Sequence, residues 1–201
     1  MKNTVKNKKN LLMFLSPALV AAVILSGMPV NAASEIDQGQ TQASITFTGG
    51  ELKLNSVPVI DFGTHDISNE LKEYAAESVT PVIQVGDLRG NGNGWDLVVT
   101  LSPFTLSDAG GPTLQAAAIK IANPVVSAVN GTIGAPPVAV TDVEITSDST
   151  DTPVWKAAGG EGMGVWNLTW KADDTKLVVK PGTARQGTST ATLNWSLQST
   201  P

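Results

Sequence analysis

The chain holds few residues able to do chemistry, and their spacing restricts what that chemistry can be. Its only histidine, His65, stands in Gly63-Thr64-His65-Asp66. A Ser-His-Asp device needs that histidine beside an activated serine, and no G-x-S-x-G turn is present to supply one. His65 next to Asp66 reads instead as a loop residue making local hydrogen bonds. Paired carboxylates are the other route to bond cleavage, since glycoside hydrolysis uses one acid and one base or nucleophile flanking the scissile bond. Asp61 with Asp66, and Asp173 with Asp174, are the pairs on offer, although Asp173-Asp174-Thr175 also has the composition of a solvated hairpin turn. A glycan-acting hydrolase built on such a pair is one reading of the chain.

Metal and thiol chemistry are narrower still. Cysteine is absent, which removes thiolate ligands, thiol nucleophiles and disulfides together. Zinc asks for three or four His, Cys or carboxylate ligands, and no recognisable set exists here; the D-x-D-x-D-G spacing of a calcium loop is missing too. Asp87 with Asn91 and Asn93 could hold a cation, but Gly90-Asn91-Gly92-Asn93-Gly94 reads more simply as a turn. No metal and no cofactor are expected, and the residues as a whole read as non-enzymatic.

The N-terminus states where the chain works. Lys2, Lys6, Lys8 and Lys9 precede an apolar run from Leu11 to about Met28, and Val30-Asn31-Ala32 fits a small-x-small cleavage site. That order is a secretory signal over residues 1–32. A retained membrane anchor is the competing reading, because the run nearly reaches bilayer length; Pro17 and Gly27 interrupt it and favour removal. No LPxTG-like sorting sequence follows, so retention at the cell is expected to be non-covalent. The full chain carries 13 basic and 18 acidic residues. Without the four leader lysines, 9 basic residues face 18 acidic ones, a charge of −9 that opposes binding to nucleic acid or anionic lipid.

The elements that must position any site read as β-strands. Ile45-Thr46-Phe47-Thr48 and Leu52-Lys53-Leu54 alternate with period 2 around a Gly49-Gly50 turn. Further strands are expected at Val79–Val85 (with Pro81 at an edge or end), Leu97–Leu101, Val138–Thr146 with a phase slip at Val143, Lys176–Val179 and Ala191–Leu197. Glycine, proline and asparagine clusters separate them. Many short strands with frequent turns predict a sandwich-like or barrel-like antiparallel all-β domain over 45–201, after a loose arm at 33–44. Ser68 to Glu77 carries a capping residue and helix formers, so a short helix is plausible there. Leu114–Ile121 is ambiguous, being alanine-rich yet leading into a strand.

Two motifs stand out. Trp95-Asp96-Leu97 and Trp195-Ser196-Leu197 repeat W-x-L, each at or within an expected strand. At period 2 the tryptophan and leucine share one face while Asp96 or Ser196 faces the other way. Ordinarily such a face is core; alternatively the indoles form an aromatic binding surface, since tryptophan is enriched at binding hot spots. Both readings stand at this level. Trp166-Asn167-Leu168 matches too, so the tripeptide by itself is weak.

The ordered set is more specific. Ile45-Thr46-Phe47-Thr48-Gly49-Gly50, Leu52-Lys53-Leu54, Val57-Pro58-Val59-Ile60-Asp61-Phe62-Gly63, a glycine-rich turn before Trp95, Gly162-Met163-Gly164-Val165-Trp166, and Thr192-Leu193-Asn194-Trp195-Ser196-Leu197 near the end resemble the WxL family of Gram-positive surface proteins. The resemblance implies a secreted protein held non-covalently at the cell wall, with peptidoglycan as ligand. It also implies a multi-component complex with a membrane-anchored WxL-interacting surface protein and larger WxL proteins. Carried onto this chain, the binding residues would be Trp95, Leu97, Trp195 and Leu197. A purely structural subunit of such an assembly, without glycan contact, is a further alternative.

Overall fold

A β-branched or apolar residue at every second position makes a ribbon with one greasy side, and such ribbons are stable only when they pair and stack. This chain does both. The structure is a computed structural model that describes residues 39–107 and 114–201; the expected signal (1–32) and the first part of the expected arm (33–38) lie outside the described residues.

Among the described residues the strands are β1 (Leu52–Ser56), β2 (Val59–Asp61), β3 (Lys72–Ala75), β4 (Ser78–Thr80), β5 (Ile83–Asp87) and β6 (Trp95–Leu101). There follow β7 (Thr105–Leu106), β8 (Ala118–Ile121), β9 (Val125–Ala128), β10 (Val138–Ala139) and β11 (Val143–Thr146). The last are β12 (Thr152–Ala157), β13 (Gly164–Thr169), β14 (Thr175–Val179), β15 (Ser189–Thr190) and β16 (Leu193–Ser199). Every ladder is antiparallel.

Two four-stranded sheets, β1-β5-β13-β9 and β10-β12-β6-β16, form a sandwich, and their end strands approach each other on both sides. A third sheet, β11-β8-β14-β3, continues the core through β11, which lies against β6 and β12. The fold is an all-β sandwich, as the punctuated strand pattern predicts. One continuous core joins the sheets, with Trp95, Leu97, Val99, Trp155, Ile83, Val85, Leu168 and Ile145 at 0–1% exposure. The outer face of the first sheet is tied by a row of amides: Asn55 Nδ2 donates to Gln84 Oε1 at 3.2 Å, and Gln84 Nε2 donates to Asn167 Oδ1 at 2.9 Å.

Several local expectations change. Ile45–Thr48 is not a strand, and Ile45 and Phe47 are 77% and 82% exposed. Gly49-Gly50 is no hairpin turn, because the Gly50 N–H donates to Leu88 O at 2.7 Å and extends the β1–β5 ladder. Residues 68–77 form no helix; Lys72–Ala75 pairs with β14 as strand β3. So few helix-forming residues cannot repay the nucleation cost of a helix, whereas a ladder puts Tyr74 against the core. The slip near Val143 is a break between β10 and β11, where Asp142 has φ 54°. Leu114–Ile121 resolves into a turn through Ala116, at φ 51°, followed by β8.

Candidate functional site

The approach to Trp95 is built from a glycine turn and one arginine. Gly90 and Gly92 take φ of 66° and 74°, a region side chains disfavour. This reverses the chain between β5 and β6. Asp87, 2% exposed at the end of β5, accepts two hydrogen bonds from the Arg89 side chain, from Nη2 at 2.7 Å and from Nε at 3.0 Å. The same guanidinium donates from Nη2 to Asn93 O and Gly94 O, each at 3.0 Å, and from Nη1 to Ser199 Oγ at 2.5 Å. Its pKa is raised, chiefly by the hydrogen bond to Asp87, so its charge is permanent. Arg89 therefore clamps the end of β5, the start of β6 and the end of β16. The groups considered for a cation thus have partners within the chain: Asp87 and Asn93 O bond this guanidinium, and Asn91 Oδ1 accepts the Asn93 N–H at 3.0 Å. Among the described residues no group of three or more His, Cys, Asp or Glu is placed to hold a metal ion.

From this clamp the two motif strands run side by side. In the β6–β16 ladder Leu97 is opposite Leu197, Trp195 is opposite Val99, and Ser199 is opposite Trp95. Tertiary structure thus brings together the four residues singled out by sequence. Partners in a ladder point to the same side, so both motifs turn their apolar residues inward. Trp95 and Leu97 are fully buried; Trp195 and Leu197 are half-buried. Trp95 meets Trp155 edge to face with ring centroids 5.1 Å apart, and Trp195 leans on Trp170 at 5.4 Å. The indole N–H groups of Trp95, Trp155 and Trp195 are buried without an acceptor. A sugar ring cannot stack on Trp95 while that indole has no exposed surface.

The other side of the same ladder faces out. Asn194, Ser196 and Gln198 are exposed, and Asp96 and Thr100 are partly exposed on β6. Asn194 pairs with Thr100, Ser196 with Val98, and Gln198 with Asp96. Lys156 on β12, opposite Asp96, continues this surface. The result is a patch of hydroxyl, amide and carboxylate groups around the buried Val98, on the side of the ladder opposite the indoles. Trp166-Asn167-Leu168 obeys the same rule on β13, with Trp166 and Leu168 inward and Asn167 in the amide row.

At the far end of the ladder, where Leu101 and Leu193 are opposite, lies a groove of about 820 Å³. Leu101, Phe104, Ile119 and Leu177 are among its apolar lining, and Asp61, His65, Asp66, Tyr74 and Arg185 are among its polar lining. His65 stacks on Tyr74 at 4.1 Å and donates from Nε2 to Phe62 O at 2.6 Å. Asp61 Oδ1 accepts the Gly63 N–H at 2.9 Å. The structure places Asp61 and Asp66 on one groove. Asp174, in contrast, sits in the turn before β14 and accepts from Asn123 Nδ2 at 3.1 Å.

Two contributors escaped sequence reasoning. Arg89 announces itself only as an arginine two residues from Asp87 at the lip of a glycine turn. Trp155 was masked by Pro153, which argues against a central strand but is accommodated at a bulge between Pro153 and Trp155.

The family model described as WxL domain, surface cell wall-binding, matches residues 26–201. Comparison with curated proteins and with solved structures returns no match.

Proposed function

Since this chain belongs to the WxL domain family of cell wall-binding surface domains, we propose that it is an exported, non-enzymatic protein that attaches non-covalently to peptidoglycan through the outward face of β6 and β16. Family membership carries the association with the cell surface and wall; the face is read from the ladder. The observation that supports it is the Leu97–Leu197 pairing, which sets the two motifs side by side with their indoles inward. Trp95, Leu97, Trp195 and Leu197 then serve recognition as braces. They hold together two strands whose outward residues Asp96, Thr100, Asn194, Ser196 and Gln198 offer donors and acceptors to sugar hydroxyl and acetamido groups. A membrane-anchored WxL-interacting protein and larger WxL proteins of a Gram-positive envelope are the partners this reading includes.

Co-sedimentation with purified peptidoglycan tests it. The triple variant Asn194→Ala, Ser196→Ala, Gln198→Ala should stay in the supernatant while its circular dichroism and melting match the parent chain. Sedimentation of the variant with the wall as before would remove this face from the proposal. Parallel capture from envelope lysate separates protein binding from wall binding.

A second reading rests on Asp61 and Asp66 sharing a groove: a glycan-acting hydrolase. It requires new reducing ends when the protein is incubated with wall fragments, lost in Asp61→Asn or Asp66→Asn. No new ends from the parent chain would eliminate it.

A further inference from the structure

The sandwich is finished on one strand of the motif pair and unfinished on the other. On β6 the inward residues Leu97 and Val99 are fully buried, yet their partners on β16, Leu197 and Trp195, are only half-buried. β16 is the last strand of its sheet, and β1, the last strand of the facing sheet, approaches it without pairing. The hydrogen-bond phase shows what this edge offers. Ser102 N–H donates to Thr192 O at 2.9 Å and Thr200 N–H to Gly94 O at 3.0 Å. Counting inward by twos from these bonds, Asn194, Ser196 and Gln198 turn their main-chain groups toward β6. Alternate residues of an antiparallel strand turn theirs the opposite way. The main-chain groups of Leu193, Trp195, Leu197 and Ser199 therefore face away from the sheet, and among the described residues no strand pairs with them. An open edge over incompletely covered apolar side chains is a template for another strand.

The same chain carries a strand without a sheet. Ile45-Thr46-Phe47-Thr48 keeps strict alternation, yet both of its large apolar side chains, Ile45 and Phe47, are exposed, at 77% and 82%. Because Gly50 and Glu51 bond to Leu88, the chain leaves the β1–β5 ladder in line with β1 and does not turn back beside it.

We propose that Ile45–Thr48 of one copy adds as a further strand along the free edge of β16 in a second copy. Ile45 and Phe47, two positions apart, match the inward spacing of Trp195 and Leu197 and cover the flank that a single chain leaves open. Thr46 and Thr48 then fall on the outer side with Ser196 and Gln198. Charge supports the same occupant. The chain is acidic overall, yet residues 39–50 and Leu193–Ser199 contain no charged side chain, so these two elements meet without the repulsion that opposes other contacts between copies. Each copy has one donor segment and one acceptor edge, and association closes as a swapped pair or continues as a row.

Sedimentation velocity over a concentration series, on the full chain as secreted, reads the association. The average mass should rise to at least twice that of one chain. The double variant Ile45→Asp, Phe47→Asp should return it to a single chain with unchanged circular dichroism and melting, since both side chains are exposed in one copy. The absence of native cysteine permits a direct contact test. Thr46→Cys protein mixed with Ser196→Cys protein should yield a mixed disulfide dimer on oxidation. A single chain at every concentration, association that survives the two aspartates, or absence of the mixed dimer would each overturn the proposal. So would a Thr46→Cys, Ser196→Cys chain that closes on itself in place of linking two copies.

Discussion

Leu97 and Leu197, a hundred positions apart in the chain, are direct register partners on adjacent antiparallel strands. Two tripeptides with the same W-x-L pattern thus become one structural unit, and their shared inward face belongs to the core. Leu97→Ala should cost about 2–5 kcal/mol as a large-to-small core change, and Leu197→Ala less, because Leu197 is half-buried. If they act as a pair, a double-mutant cycle by urea denaturation should show coupling of about 0.5–3 kcal/mol. Strict additivity would mean that they pack independently.

Trp95 gives a sharper test of bracing against contact. Its indole is fully buried and its N–H has no acceptor, so Trp95→Ala should lower stability by about 3–5 kcal/mol. Trp95→Phe should cost less, since no hydrogen bond is lost. Wall binding by the Phe variant, measured where it is folded, should equal that of the parent. A folded Trp95→Phe chain that no longer binds would show that the indole itself touches the ligand.

Gly162 reports on the same packing from the other side. It has φ 69°, and a Cβ there would lie 2.6 Å from Ala157 Cβ and 2.7 Å from Trp95 Nε1. Gly162→Ala combines an unfavourable backbone region with overpacking, and should destabilise by at least about 1–3 kcal/mol. Melting checks this, and near-ultraviolet circular dichroism should change with the displaced indole. Gly92→Ala, whose Cβ would meet nothing within 4 Å, isolates the backbone contribution.

Removal of Arg89 should strand a buried carboxylate. Asp87 and Arg89 side chains are 1% and 13% exposed. Breaking a buried pair from one side costs about 3–5 kcal/mol, so Arg89→Ala should approach that loss. The double variant Asp87→Leu, Arg89→Met should recover much of it. The pH dependence has a definite sign. The Arg89 pKa is raised in the fold by its hydrogen bond to Asp87; its stabilisation is complete below the unfolded value and is lost only as pH rises through the folded one. Urea midpoints should therefore show no loss from this group across the neutral range, and a loss only under strongly alkaline conditions.

Much of this protein was legible from local chemistry. The alternating runs at Leu52–Leu54 and Ala191–Leu197 fall on β1 and largely on β16, and the apolar, β-branched runs at Leu97–Leu101 and Lys176–Val179 fall on β6 and β14, because such patterns record which residues must leave water. Both W-x-L motifs, the acidic balance and the absence of cysteine also needed no coordinates. Where the pattern misled, at Ile45–Thr48 and Ser68–Glu77, local sequence states a preference while strand pairing decides the outcome. Phe47 alternates correctly but finds no ladder, and Lys72–Ala75 finds one in β14.

The sequence by itself determined that tryptophan and leucine of each motif would share a face, for that follows from strand geometry alone. Only the tertiary structure decided that the two faces would be neighbours, that Leu97 would meet Leu197, and that Asp87 would pair with Arg89. Register and partner choice in a sheet are set by contacts between residues distant in sequence. No run of consecutive residues contains them.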